Sequence, residues 1–247
     1  MNENVDIFIC THKDFQIPVE NEVYKIIDSR IIDKTKYKLS DDFYSEFLSF
    51  FHIADNFEIK DYIGFCHYRR YFSFLNDVPD INEIFKEYDL ITVAPSKTKK
   101  ESIREHYYNC HNIEDLEIIE KIVKEKYPEY YNVMEDFFNG TDMITNNMFI
   151  MKKDDFFEYI SFIRNILNEY LKIVGTDIYK RIEDNKDKYI KNFSPNDTAL
   201  YQYRIGGFLG ERLTNIFIFK KFKNVKCYNY YVTEDKYNEY KTEEDGQ

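Results

Sequence analysis

The residues with the most chemistry to offer lie together at 61–72, DYIGFCHYRRYF, where an apolar run ends in His67 followed by Arg69 and Arg70. A guanidinium keeps its charge at any working pH and presents a planar fork of donors that matches phosphate or carboxylate oxygens. Two in succession are costly to bury without an acidic partner, so Arg69 and Arg70 call for an anionic ligand. Along a strand they would point to opposite faces, so one is expected to face the ligand while the other braces a neighbouring loop. A basic pair taken alone is more simply a solvated turn. The aromatic frame of Phe65, Tyr68, Tyr71 and Phe72 favours a site, because it lowers the local dielectric and strengthens charge contacts.

Other polar groups stand at similar boundaries. A β-rich run at 5–10 gives way to Thr11, His12 and Lys13, and a loop holding Asp142, Asn146 and Asn147 leads into an apolar run ending at Met151. Cys10, Cys66 and Cys110 each have a histidine within two residues, but no tight C-x-x-C pair is present and zinc ligation is not expected. The four cysteines are widely spaced and read as free thiols, with Cys10 and Cys66 buried in strands.

The elements that would position these groups alternate. Strands are expected at 5–10, 62–66 and 88–94, the last two as near-continuous apolar runs of the kind buried on both faces. Ser40 with Asp41 and Asp42 offers a helix start, after which Phe43, Phe47, Phe50, Phe51 and Ala54 recur at helical spacing. Glu46 lies beside that stripe, where solvation and reach into a site are both open. Helices are also expected over 113–126, from Pro128 toward Phe138, and after Asp154 as a cap. Ser194-Pro195 reads as a helix start, Gly206-Gly207 as a break, 208–222 as a helix, 227–232 as a last strand, and 233–247 as a frayed charged tail. The basic run Lys97, Lys99, Lys100 reads as a solvated loop. Strands separated by helices predict a single α/β domain over 1–232 with a helical C-terminal part, its ligand beyond the carboxyl ends of the strands. There the loops at 11–14, 67–70 and 142–147 would meet.

At 247 residues the chain can bury one sizeable core. Aromatics make up 18%, as Tyr 23 and Phe 22 with Trp 0, and the formal net charge of −11 argues against a nucleic-acid binder, which needs a basic face. A small phosphorylated ligand needs only a local basic pocket. No apolar run is long enough to span a bilayer and residues 1–6 lack a secretory signal, so a cytoplasmic protein is expected. Neither G-x-G-x-x-G nor G-x-x-x-x-G-K-[ST] occurs, which removes support for dinucleotide oxidoreduction and P-loop hydrolysis.

IFICTHK at 7–13, YSE at 44–46, YIGFCHYRRYF at 62–72, NMFIMK at 147–152 and GFLGERL at 207–213 occur in the order typical of a bacterial family long labelled only as a domain of unknown function. The chain resembles that family over nearly its whole length, and the histidine, tyrosine and double-arginine block is its specific part. Its members sit among capsular and exopolysaccharide biosynthesis proteins and are regarded as glycosyltransferases with a GT-A-like fold.

The resemblance implies a mixed, mainly parallel sheet flanked by helices. It also implies transfer of a sugar from a nucleotide diphosphate sugar, UDP-linked by expectation, to a glycan or lipid-linked glycan acceptor. Thr11, His12 and Lys13 would then hold the nucleotide. Many such enzymes carry an Asp-x-Asp metal motif where this chain has Cys66-His67-Tyr68-Arg69, which puts dependence on Mn or Mg in doubt. His67 with Arg69 or Arg70 would instead neutralise the leaving diphosphate. Glu211 is the first candidate for the base that takes the acceptor proton and Asp142 the second, while an ion pair with Arg212 is the alternative role of Glu211. Glu46, Asn146, Asn147 and Arg212 would contact sugar. A peripheral membrane contact and a homodimer are left open. A noncatalytic carbohydrate-binding or scaffold protein is the competing reading, and a nucleotide or sugar-phosphate hydrolase a third.

Overall fold

The computed structural model describes residues 2–18, 21–39, 41–98, 100–234 and 237–242, with backbone alone at 41, 234 and 237–242. Its strands are β1 Val5–Thr11, β2 Tyr24–Asp28, β3 Tyr62–His67, β4 Arg70–Phe72, β5 Leu90–Val93, β6 Ser96–Lys97, β7 Asp142–Met143, β8 Phe149–Lys152, β9 Val225–Tyr228, β10 Tyr230–Glu234 and β11 Tyr237–Thr242. Its helices are α1 Asp41–Tyr44, α2 Phe47–Asn56, α3 Ile81–Ile84, α4 Ile103–Cys110, α5 Ile113–Lys126, α6 Pro128–Asn139, α7 Lys153–Val174, α8 Ile178–Asp184, α9 Lys186–Tyr189, α10 Ala199–Gln202 and α11 Ile205–Lys221.

The central sheet runs β2-β1-β3-β8-β5-β9. β2, β1 and β3 are parallel, β8 runs against both β3 and β5, and β9 is parallel to β5. Every strand but β8 therefore points the same way, which is the mixed, mainly parallel sheet expected. At the carboxyl end of β3 the chain folds back as β4, with β10 beside β4 and β11 beside β10.

β1, β3, β5 and β8 are buried along almost their whole length, as their near-continuous apolar runs require. The aromatic surplus is largely core. Phe50 of α2 meets Phe65 of β3 at 4.1 Å between centroids, Phe65 meets Phe149 at 5.3 Å, and Phe149 meets Tyr159 of α7 at 5.2 Å. Tyr159 continues to Phe217 of α11 at 5.5 Å. Tilted and edge-on ring pairs of this sort add about 0.5–1.5 kcal/mol each beyond burial, and here they tie the helices to the strands that carry the site. Cys10, Cys66 and Cys110 are buried and Cys227 exposed, all as free thiols. Among the described residues no helix is long and apolar enough to cross a membrane.

Several expected boundaries move. The helix expected across 43–54 is broken at Ser45, whose φ of 53° lies in the left-handed region, and Ser40 lies outside the described residues. Asp154 sits in the first turn of α7, whose N-cap is Lys152. Ser194-Pro195 starts no helix. The carboxylate of Asp197 accepts from Lys191 N at 2.9 Å and Phe193 N at 3.3 Å, which closes a turn, and Thr198 caps α10 instead. Gly206-Gly207 does not break the chain, because α11 runs through both. The last strand divides into β9 and β10, and of the segment expected to fray, β10 reaches Glu234 and β11 covers Tyr237–Thr242, with 235–236 and 243–247 outside the described residues.

Candidate active site

A cavity of about 530 Å³ opens at the carboxyl ends of β1 and β3, and Thr11, His12, Ser45, Glu46, His67 and Arg204 are among the residues lining it. Each arrives for a local reason. Thr11 ends β1 by folding its hydroxyl over the next residues: Oγ1 donates to Lys13 O at 2.6 Å and accepts from Lys13 N at 3.1 Å. This tight turn leaves His12 exposed at the cavity.

The β3–β4 turn is four residues long, with His67 paired to Arg70. Its buried Tyr68 ring is a shared platform. His12 meets it edge-on at 5.3 Å and His67 packs on it at 4.3 Å, while Lys13 Nζ and Arg69 Cζ each lie 5.2 Å from its centroid. One aromatic ring thus gathers the β1 and β3 loops through cation–π and ring contacts. Arg69 N donates to His67 Nδ1 at 3.1 Å, which leaves Nε2 to carry the ring proton. Burial, followed by the charges of Arg70 and Arg69, lowers His67 to about 3. His67 therefore offers a hydrogen bond and no charge, contrary to the share in charge neutralisation expected of it.

The charge comes from arginines. Arg70 bears on both His67 and Glu46, and its Nε is buried with no hydrogen-bond partner among the described residues. Arg204 bears on the same two groups, lines the cavity, and donates from Nε to Ser45 Oγ at 3.0 Å. Its guanidinium lies 5.8 Å from the Tyr201 ring and 5.7 Å from Phe208. Arg204 was not singled out from the sequence. Its signal is the glycine pair just after it: a Cβ on Gly207 would stand 2.5 Å from Ser45 Oγ, and one on Gly206 2.5 Å from the Phe43 ring. Those glycines let α11 lie against the α1–α2 corner, and this contact brings Arg204 to Ser45 and Glu46.

Two carboxylates meet at the turn before β8. Asn146 and Asn147 have φ of 68° and 48°, a left-handed pair that reverses the chain. Asn147 Nδ2 donates to Glu46 Oε1 at 2.7 Å, and Asn146 N donates to Glu211 Oε1 at 3.0 Å. Buried Asn215, one helical turn beyond Glu211, fixes the same loop by accepting from Ile144 N at 2.7 Å and donating to Ile144 O at 2.8 Å. Burial pushes the Glu46 carboxyl up to about 7, with Glu211 adding to the rise while Asn147, Arg204 and Arg70 oppose it. Glu46 is partly exposed to the cavity.

The remaining candidates fall elsewhere. Glu211 is also held by Arg212 Nη1 at 3.2 Å, so the ion-pair alternative for it is present. Arg212 is only 4% exposed and packs over Tyr107 at 5.3 Å, a position beneath the site and not one that faces sugar. Asp142 is exposed in β7, paired in register with Lys97 of β6, and takes no part in the network around Glu46. Among the described residues no three His, Cys, Asp or Glu side chains come together as a metal site. The end of β3 presents one neutral imidazole between arginine charges, where a divalent cation would need oxygen donors, so these residues do not fit the metal of the metal-dependent GT-A pattern.

The sequence profile of a family described as Domain of unknown function (DUF4422) matches residues 6–223. The chain belongs to this family. No curated protein matches. Among solved structures, the apo form of the bifunctional glycosyltransferase WbbM superposes with a TM-score of 0.72 at 21% identity. The match covers 96% of this chain and 46% of WbbM, so the chain spans about half the length of that protein. The fold is GT-A-like, as expected.

Proposed function

We propose that this domain transfers a sugar from a nucleotide diphosphate sugar, UDP-linked, to a hydroxyl of a growing capsular or exopolysaccharide glycan. The observation that carries the reading is a cavity lined by Arg204, His67 and Glu46, a carboxylate raised toward neutrality on which Arg70 also bears, at the strand ends where ligands of α/β sheets bind. Thr11, His12 and Lys13 take the nucleotide. As the bond from the anomeric carbon to the diphosphate oxygen breaks, negative charge grows on the leaving group, and fixed guanidinium groups answer it without moving. Arg70 faces that charge, Arg204 supplements it, and His67 donates from Nε2. Arg69, packed on Tyr68, braces the loop.

Glu46 takes the proton of the attacking hydroxyl. Its pKa near the working pH suits a general base better than a carboxylate held by an arginine, so Glu211 becomes a positioning residue that fixes the Asn146-Asn147 turn. Asn146, half-buried in the turn, meets sugar hydroxyls, while Asn147, only 3% exposed and with its amide spent on Glu46, positions that carboxylate instead of making the contact with sugar expected of it. The fold likeness to a glycosyltransferase supports this reading.

The test is release of uridine diphosphate from a panel of UDP-sugars, with and without oligosaccharide acceptors. Wild type should hydrolyse its donor slowly and accelerate with acceptor. Glu46→Gln should lower turnover by about 10²- to 10⁴-fold while retaining nucleotide binding. Rapid hydrolysis that ignores acceptors would identify a hydrolase instead, and binding of glycans with no affinity for uridine diphosphate would identify a noncatalytic binder.

A further inference from the structure

On the outer side of β1 and β2, away from the residues that handle the donor, lies a second depression of about 600 Å³. Its lining includes Phe8, Ile26, Ile27, Ile31, Ile32 and Phe57. Three of these are conspicuously uncovered: Ile31 is 84% exposed, Ile26 50% and Phe57 41%. A lone exposed isoleucine is ordinary, but three around one depression form a patch. Ile31 also ends the short turn Ser29–Ile31, which lifts it clear of the sheet edge.

The charge around the patch opposes that of the chain. Against a formal net charge of −11, residues 24–39 carry five basic side chains, Lys25, Arg30, Lys34, Lys36 and Lys38, and two acidic ones, Asp28 and Asp33. The acidic groups at the depression are neutralised where they stand. Asp28 and Asp14 each lie 2.6 Å from Arg30 Nη2, so that arginine is spent on them and the positive surplus of the face comes from its lysines, while Asp6 lies 2.9 Å from Lys60 Nζ. Asp33 is occupied in capping the turn Lys34–Lys36. A protruding aliphatic side chain amid lysines is the pattern of a surface that rests on an anionic bilayer: the apolar tips enter the headgroup boundary and the cations meet lipid charge. A protein partner would more simply meet an apolar patch with a neutral rim.

We propose that the face formed by β2 and the turns at 29–36 docks on an anionic lipid surface, with Ile31 as its inserted residue. Ser29 of the same turn lines the active-site cavity, so this orientation sets the cavity mouth beside the membrane. The docking stands on the patch and its charge, independently of the transferase reading.

Co-sedimentation of the whole chain with phosphatidylcholine vesicles, plain or containing about one third phosphatidylglycerol, tests it. Wild type should pellet with the anionic vesicles and little with the neutral ones, and binding should weaken as salt rises. Ile31→Glu should lower the bound fraction about tenfold. The Lys36→Glu, Lys38→Glu double variant should remove the preference for anionic lipid. Uridine diphosphate calorimetry on each variant serves as a control for folding and for the separate nucleotide site. Failure of wild type to bind anionic vesicles would overturn the proposal, as would equal binding by Ile31→Glu. Sedimentation equilibrium showing a dimer that Ile31→Glu dissociates would overturn it in favour of a second copy as the occupant.

Discussion

Glu46 holds two properties that pull apart. Its carboxyl sits at about 7 in the fold because burial disfavours the charge, whereas a free glutamate titrates near ~4.3. A carboxyl raised in this way binds more protons folded than unfolded, so the stability it contributes is present below the unfolded value and is lost as pH climbs through about 7. Catalysis by the ionised form runs the other way. Turnover should rise with pH through about 7 and flatten above it, and Glu46→Gln should remove that limb while improving stability at alkaline pH, as thermal melts across pH would register. Asn147 tunes the same group, since its amide lowers the carboxyl through the bond at 2.7 Å. Asn147→Gly keeps the left-handed φ and removes the amide, so the pH–rate limb should move upward. An unmoved limb would show that Asn147 matters only for the turn. At this scale the sequence was informative about residue types and less so about roles. His67, Arg69, Arg70, Glu46, Asn146 and Asn147 were legible as candidates. That His67 is neutral, that Arg212 lies underneath and that Asp142 points to solvent all depend on burial, which no local pattern encodes.

Elements explain why a helix-breaking pair sits inside a helix. α11 approaches the α1–α2 corner so closely that Gly207 leaves no room for a methyl group, and Ser45 adopts a positive φ to meet it. Gly207→Ala should separate the two, at a cost of about 1–3 kcal/mol in urea denaturation, and should weaken nucleotide binding as well, because Arg204 and Glu211 ride on that helix. A stability loss with nucleotide affinity unchanged would mean that α11 does not set the site. The same contact accounts for the misread boundaries. The stripe of Phe43, Phe47, Phe50 and Phe51 predicted one helix, and the stripe is real, yet tertiary contact at Ser45 divides it. Ser194-Pro195 has the composition of a helix start, but Asp197 uses its carboxylate on two backbone amides of the preceding turn. By contrast α5 and α6 run as their amphipathic spacing and Pro128 predict, since nothing at their ends competes with the local signal.

Across the whole molecule, the acidic chain keeps cationic side chains at the strand ends and uses its aromatics as core. Near-continuous apolar strands announced the sheet, and short polar loops at 11–14, 67–70 and 142–147 announced the edge at which most of the candidate residues gather. What stayed hidden was β8 running against its neighbours, a matter of chain connectivity, and the arrival of Arg204 from the far end of the sequence. The central claim is that fixed arginine charge, and Arg70 above all, receives the leaving diphosphate. Calorimetry with uridine diphosphate in the presence of a strong chelator tests this most directly, run on wild type, Arg69→Ala and Arg70→Ala. The account predicts that chelation leaves wild-type affinity unchanged, that Arg70→Ala loses about 10- to 100-fold, and that Arg69→Ala lowers the melting temperature more than the affinity. Binding that vanishes on chelation and returns with Mn²⁺, or two arginine variants that bind as wild type does, would contradict it.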